Sequence, residues 1–421
     1  MRHRRHFFQS LATTTLAAGA LKAAPSERIH LALIGAGGRG RGLAQAFAGE
    51  PDVRVTHICD ADQSQAALAI ANVEKRQNHR PRLEQDLRRA FDDKSVDAVI
   101  IATPDHWHAL ATIWACQAGK HVYVEKPASH TLWEGKQMVA AARKHDRRVQ
   151  VGTQSRSLGS YNDMIKSLRD GAIGDVLTAK VWNSQKRPDL PSAADAAVPE
   201  GVDYNMWQGP APDRPFSPNR FHYTWHWHWD YGTGDIGNDG IHDLDVARWG
   251  LGATLPTRVA CMGHVLENTH WQTPDTMTVV FEFDHPRRVL TFEQRDWSPY
   301  LQEGYENGVA FHGTEGYILI GRGGWRLYRG NEPRHAAKES FTDEPHRRNF
   351  IDAIKSGVPL NAEIEQGHYS AVLAHLANAA FRAGRCEVKF DPTTQEVLGD
   401  SAIQAFTKRE YRAPFVVPET V

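Results

Sequence analysis

The sequence predicts two domains, an α/β unit with a parallel sheet followed by an α+β unit with an open, mainly antiparallel sheet. Three observations predict this. A glycine-rich run, Gly35-Ala36-Gly37-Gly38-Arg39-Gly40, joins the strand-like stretch 29–34 to a helix-like stretch ending at residue 47. Strand-like and helix-like segments then alternate to about residue 152, the pattern of a doubly wound sheet. Beyond it lie β-rich runs at 176–182, 258–263, 276–283, 289–293, 309–312 and 317–320, with little helix between most of them.

Each element of the first unit carries a local reason. In the glycine run, Gly35 permits the tight turn, Gly37 and Gly38 let backbone N–H groups approach a pyrophosphate, and Gly40 lets helix and strand pack closely. This is the dinucleotide fingerprint of a Rossmann domain in its required context, strand before and helix after. Residues 53–59 form a second strand ending at Asp60, 25 positions after Gly35, where a carboxylate reaches a ribose 2′-hydroxyl; this favours NAD, with Arg39 leaving NADP open. An Ala-rich helix at 63–74, a short strand at 82–85 and a helix near 86–91 follow. The apolar strand 98–102 is stopped by Thr103-Pro104, ahead of His106-Trp107-His108 and a helix over 109–118. Strand 121–124 runs into Glu125-Lys126-Pro127, presenting one lysine at the cleft where a parallel sheet binds its cofactor. A helix over 132–145 and a strand over 148–151 close the unit. The organisation predicted is an export signal at 1–24, a dinucleotide-binding domain at 25–152, and a domain for substrate binding and oligomerisation at 153–421. Residues 188–218, rich in Pro, Ala and Asp, read as an irregular surface excursion.

Composition narrows the function classes. With 49 basic against 50 acidic residues, the chain shows no electrostatic grip on nucleic acid. Cys59, Cys116, Cys261 and Cys386 make no C-x-x-C pair, so buried free thiols are expected rather than a disulfide framework or thiolate metal site. The N-terminus carries Arg4-Arg5-His6-Phe7-Phe8, an apolar run over 11–21 and small residues around Ala18-Gly19-Ala20, in the order of a twin-arginine export signal. That run is too short to span a bilayer, and a periplasmic or otherwise exported protein is expected.

Taken together these residues resemble the glucose-fructose oxidoreductase / inositol dehydrogenase / rhizopine catabolism (Gfo/Idh/MocA) family. The matching stretches are residues 35–40, Cys59-Asp60-Ala61-Asp62, Ala102-Thr103-Pro104 with His108, the 119–122 run leading into Glu125-Lys126-Pro127, and Gly240-Ile241-His242-Asp243-Leu244-Asp245 before Trp249. The resemblance implies that Lys126 and His242 face a nicotinamide, that Thr103, Pro104, His108 and Glu125 help to hold the cofactor, and that the sheet domain covers the substrate and builds a homo-oligomer. Bottom-up chemistry agrees: removing hydride from an alcohol requires a proton acceptor within hydrogen-bond reach, and lysine and histidine can share that task. One position departs from the family. Its dehydrogenases carry an aspartate four residues before the histidine, where this chain has Asn238, an amide that orients a hydroxyl but takes no proton. Asp235 and Asp239 are the neighbouring carboxylates.

The run Trp225-His226-Trp227-His228-Trp229-Asp230 is read as a carbohydrate-binding wall, aromatic faces stacking on sugar C–H surfaces while Trp227 and His228 approach the substrate. His226 and His228 alternating on one strand face also suggest a metal, but no third ligand has a recognised spacing, and the other rival reading is an aromatic structural core or oligomer contact. Gln154 and Arg156 lie where family members approach substrate, and His346 with Asn349 opens a late helix toward the pocket; Trp207 reads as packing. Three functions remain open: a sugar or glycoside oxidoreductase acting on a small carbohydrate, an NAD-dependent glycosidase working by oxidation, elimination and reduction, and a nucleotide-bound sensor. Lys126 favours the first. The resemblance implies that the family's glycosidases use Tyr and His in its place, and a sensor needs neither Lys126 nor His242.

Overall fold

The structure, a computed structural model, describes residues 28–190, 192–330 and 332–421. The twin-arginine segment lies outside the described residues. The first domain runs β1 (Ile29–Ile34), α1 (Gly38–Phe47), β2 (Val53–Cys59), α2 (Gln63–Gln77), β3 (Arg82–Glu84), α3 (Arg88–Asp92), β4 (Ala98–Ile101), α4 (Asp105–Gln117), β5 (His121–Val124), α5 (Leu132–Lys144) and β6 (Val149–Val151). Its six parallel strands take the order β3-β2-β1-β4-β5-β6. Helices cover both faces, so β4 and β6 are buried at every residue, as strands of a doubly wound sheet must be. The order reverses between β1 and β4, and the crevice at the carboxyl ends of those strands is where such sheets bind ligands.

The second domain begins with α6 (Gly159–Arg169) and β7 (Val176–Asn183). An irregular excursion over 184–231 follows, holding the short α7 (Tyr204–Gln208); next come a π-helical turn (Ile236–Gly240) and α8 (Ile241–Leu251). β8 (Arg258–His264), β9 (Thr276–Asp284), β10 (Arg287–Arg295), β11 (Asn307–Gly313), β12 (Tyr317–Gly321), β13 (Gly324–Arg329) and β14 (Glu332–Lys338) precede α9 (Glu344–Ser356) and α10 (Ile364–Arg382). β15 (Glu387–Asp391), β16 (Glu396–Leu398) and α11 (Ser401–Gln404) complete the chain. The ten strands take the order β14-β13-β12-β11-β7-β10-β9-β8-β15-β16. All neighbours are antiparallel except β7 and β10. One face buries α6, α8 and α10 in a continuous core that includes Met164, Leu244, Phe281, Phe292, Phe311 and Leu373. The other face, over which no helix packs among the described residues, carries Trp182, Tyr305, Tyr317 and Tyr328. α9 returns to the first domain, where Phe350 and Ile351 enter the core formed by Phe47, Ile100 and Tyr123.

Four differences from the sequence reading have local causes. α4 starts at Asp105, so His106, Trp107 and His108 are helical and buried. Residues 224–227 form a 3₁₀ turn instead of a strand, because Trp227 is drawn inward to stack on Trp271 at 4.3 Å. The excursion is irregular as expected, yet it is stitched onto the first domain and is not a free surface loop: Asp203 N–H donates to Ala61 O (2.8 Å) and Gln63 N–H to Gly201 O (3.1 Å). Cys59, Cys116 and Cys261 are buried free thiols, but Cys386 is exposed.

Candidate active site

The glycine turn presents backbone N–H groups to open space. Gly35 has φ +88°, and a Cβ there would lie 2.7 Å from the main chain of Ala102 and Thr103, so β1 and β4 approach at that turn only with glycine. A Cβ at Gly40 would lie 1.9 Å from Gly35 O, which is how α1 packs tightly behind the turn. Gly37 and Gly38 have no atom within 4 Å of a would-be Cβ, and α1 has neither a side-chain cap nor an acidic first turn. A bare helix N-terminus beside open space is what a pyrophosphate requires. Asp60 lines the same cavity; one carboxylate oxygen accepts from Ala36 N–H (2.5 Å) and the other from Asp62 N–H (2.8 Å). Burial pushes this carboxyl up to about 6. These residues fit a dinucleotide.

The cavity, about 700 Å³, runs from Asp60 past Thr103 and Pro104 to Lys126, Asn238 and His242. Lys126 follows β5 and is held from across the cleft: its Nζ donates to Asn238 O (2.6 Å) and Asn238 Oδ1 (3.1 Å). Asn238 Nδ2 in turn donates to Asp235 Oδ1 (3.1 Å). Asn238 belongs to the π-helical turn, a local widening of the helix of the kind found at functional sites, immediately before His242 on α8. Burial and the neighbouring Lys126 hold the His242 imidazole below its ordinary range, so it is neutral at neutral pH. Glu125 is buried against Gly152, where a side chain would collide with its carboxylate at 2.9 Å. Burial opposes its ionisation, but Arg39 (Nε to Oε1, 2.7 Å) and Lys126 outweigh this and keep the carboxyl below its usual range. Arg39 also donates to Asp343 (2.6 Å), so two of its three nitrogens anchor Glu125 and the start of α9. Gln154 lines the cavity as expected, reaching Tyr123 Oη (3.3 Å) and Glu125 (3.4 Å).

Six predicted site residues lie elsewhere. Arg156 is buried in a two-pronged ion pair with Asp245, both distances 2.8 Å, where it joins α8 to the start of the second domain. Trp227 is fully buried, and His228 turns its Nε2 to Asn219 O (3.0 Å). His346 is buried between Ser157 Oγ (2.6 Å) and Val151 O (2.9 Å), and Asn349 holds Pro359 O. His108 does not face the cavity; its two ring nitrogens meet Pro127 O (2.7 Å) and Thr103 O (3.0 Å), tying the loop after β4 to the loop after β5. Each was assigned by position in the chain, and each is turned away by a hydrogen-bond or packing partner that its position does not fix. Asp235 and Asp239 are also committed, the first to Asn183 and Arg187, the second to Asn307 and Arg322.

The structure adds residues that sequence reasoning missed. Trp225 and His226, stacked at 3.6 Å, line the cavity in place of Trp227 and His228. Met206, Trp207, His222 and Tyr223 from the excursion form a wall over the Asp60 end, and His222 Nε2 lies 3.0 Å from Asp62 Oδ2. Tyr161, Asp243 and Arg322 line the Lys126 end. Alternation in the aromatic run could have offered either set of residues; only the inward pull of Trp271 decides between them.

Residues 29–153 match the oxidoreductase family with an NAD-binding Rossmann fold, and residues 181–417 match the C-terminal alpha/beta domain of the same Gfo/Idh/MocA family. Inositol 2-dehydrogenase 2 of Saccharopolyspora erythraea is 29% identical over 238 residues, 55% of this chain and 56% of that protein. An alpha-N-acetylgalactosaminidase of Shewanella oneidensis is 26% identical over 204 residues, 42% of this chain and 44% of that protein. The chain thus aligns with about half the length of these two curated relatives. The crystal structure of an aldose-aldose oxidoreductase from Caulobacter crescentus superposes with TM-score 0.67 at 20% identity, covering 86% of this chain and all of that one; the likeness is one of fold.

Proposed function

This chain belongs to the Gfo/Idh/MocA oxidoreductase family, and from that premise we propose that it oxidises a secondary hydroxyl of a sugar or glycoside, using NAD that stays bound and is reoxidised in place by a second carbonyl substrate. The observation that carries the reading is Lys126 fixed by Asn238 beside His242, in one cavity with the open glycine turn. Bound NAD supplies a hydride acceptor, and the chain's own groups do the rest. Lys126, already donating to Asn238, offers a further N–H to the substrate oxygen, and the neutral His242 accepts a hydrogen bond. The stacked Trp225 and His226 present an aromatic surface to the C–H face of a pyranose. Asp60 supports NAD over NADP, because it repels a 2′-phosphate.

The glycosidase reading has several curated relatives in its favour, glycosyl hydrolase family 109 proteins among them, but the family resemblance implies that this class of enzyme does without a lysine at the place of Lys126. The uncovered sheet face with Trp182, Tyr317 and Tyr328 suits a second copy of the chain, and Arg4-Arg5 suits export of the folded, loaded protein. The test is incubation of purified protein with a panel of sugars and glycosides while recording nicotinamide absorbance and product masses. A product two hydrogens lighter than its substrate is expected. Release of aglycone with no keto-sugar would replace this reading with the glycosidase.

A further inference from the structure

We propose that Asp243 is the proton acceptor of the oxidation, replacing the carboxyl group that Asn238 lacks; the inference rests on the oxidoreductase reading above. Asp235, Asn238, Asp239 and Asp243 cluster where the π turn runs into α8, and the first three are already engaged. Asn238 accepts from Lys126 and carries no exchangeable charge. Asp235 is fully buried and bonded by Asn183, Asn238 and Arg187. Asp239 is bonded by Gln185, Asn307 and Arg322. Asp243, next to His242 in the first turn of α8, lines the cavity, and among the described residues no hydrogen bond or ion pair reaches its carboxyl.

The charged and titratable groups facing it are Asp239 on the preceding π turn, Arg322 after β12 and Tyr161 on α6, and Lys126 and His242 line the same cavity. Burial, then the nearby Asp239, push the Asp243 carboxyl up to about 7, while burial and Lys126 push His242 the other way. A proton released near neutrality therefore rests on the carboxyl and not on the imidazole.

In the oxidation the carbinol C–H bond breaks and its electron pair leaves as hydride to the nicotinamide. The O–H bond breaks, its proton passes to the Asp243 carboxylate, and the carbon–oxygen double bond forms. In the second half-reaction an acceptor carbonyl takes a hydride and the same proton, so the site stores one proton between two substrates. The oxidation half requires Asp243 ionised and the reduction half requires it protonated. Their rates are expected to respond to pH with opposite slopes around neutrality.

The test uses the full-length protein with its own nucleotide and three probes: D-glucose, methyl β-D-glucopyranoside and myo-inositol. Asp243→Asn is expected to retain nucleotide and to slow single-turnover reduction of it by about a hundredfold. Adding Asn238→Asp to that variant should recover about tenfold or more, which a merely structural role for Asp243 would not produce. Rates within about twofold of wild type, with the same pH profile, would overturn the assignment. If no probe reduces the wild-type nucleotide, the sugar reading fails, and infrared titration still decides the present one. A carboxyl band titrating near neutrality and missing from Asp243→Asn supports it; identical spectra overturn it.

Discussion

Lys126 works from a position fixed by two segments more than a hundred residues apart, since β5 delivers it and the Asn238 main chain and side chain hold it. Substitution by Ala removes the donor without touching the glycine turn, so Lys126→Ala is expected to keep its nucleotide, measured by mass spectrometry, and to lose at least about a hundredfold in turnover. His242→Ala should lose a similar factor, and near-normal turnover with unchanged stability in the lysine variant would contradict the catalytic assignment. Arg156 and Asp245 form a pair of the opposite kind, buried away from the cavity. Burial favours the neutral Asp245, but Arg156 outweighs it and the carboxyl lies below its ordinary range. A carboxylate depressed on folding contributes stability that is full above its unfolded value and is lost as pH falls through its folded value. Asp245→Ala strands a buried guanidinium and should cost about 3–5 kcal/mol in a urea titration at neutral pH. The difference from wild type should narrow in acid. These two pairs also mark what was legible in the sequence. Gly35, Gly37, Lys126, Asn238, His242 and Gln154 were found because a motif fixes where they sit at a strand or helix end. Arg156, Trp227, His228 and His346 were misplaced because a partner that their position does not fix decides which way they turn.

At the scale of elements, the Rossmann alternation was readable because each strand and helix buries a face with its own period. The excursion over 184–231 was not, because its order comes from contacts with another domain. Its core is aromatic, with Tyr204, Trp207, Phe216, Phe221 and Tyr231 packed together. Gly209, with φ +47°, sits against the Trp107 ring, where a Cβ would approach to 2.2 Å. Trp107 Nε1 donates to Met206 O at 3.0 Å, and Gln85 Nε2 bonds Gly201 O and Ala61 O, both at 3.0 Å. These contacts place the wall over the Asp60 end of the cavity, where it would border a bound nucleotide. His222, with φ +59°, joins it to Asp62. His222→Ala removes one hydrogen bond, worth ~1 kcal/mol net. It should accelerate nucleotide release about fivefold, followed by stopped-flow displacement, with little change in melting temperature. An unchanged release rate would mean that the wall does not gate the site.

For the whole molecule, the proposal of a retained cofactor rests on the wall from the excursion, on Asp60 and on the cavity they share. On the proposed reading Asp60 disfavours a 2′-phosphate, so nucleotide released from purified protein should be NAD by mass, and a predominance of NADP would overturn the reading of Asp60. A captive cofactor changes the kinetics. Once reduced it cannot be exchanged for a fresh one, so each oxidation must be followed by reduction of a second carbonyl compound in the same cavity. Steady-state velocities plotted against one substrate at several concentrations of the other should then give the parallel reciprocal lines of a ping-pong scheme. The same captivity would let a protein that folds before export work where free NAD is scarce, because nucleotide loaded in the cytoplasm would travel with it. Dialysis separates the alternatives. Retained nucleotide with undiminished two-substrate turnover supports the captive scheme, whereas rapid loss, with activity restored only by added NAD, makes the protein an ordinary dehydrogenase and the wall a passive lining.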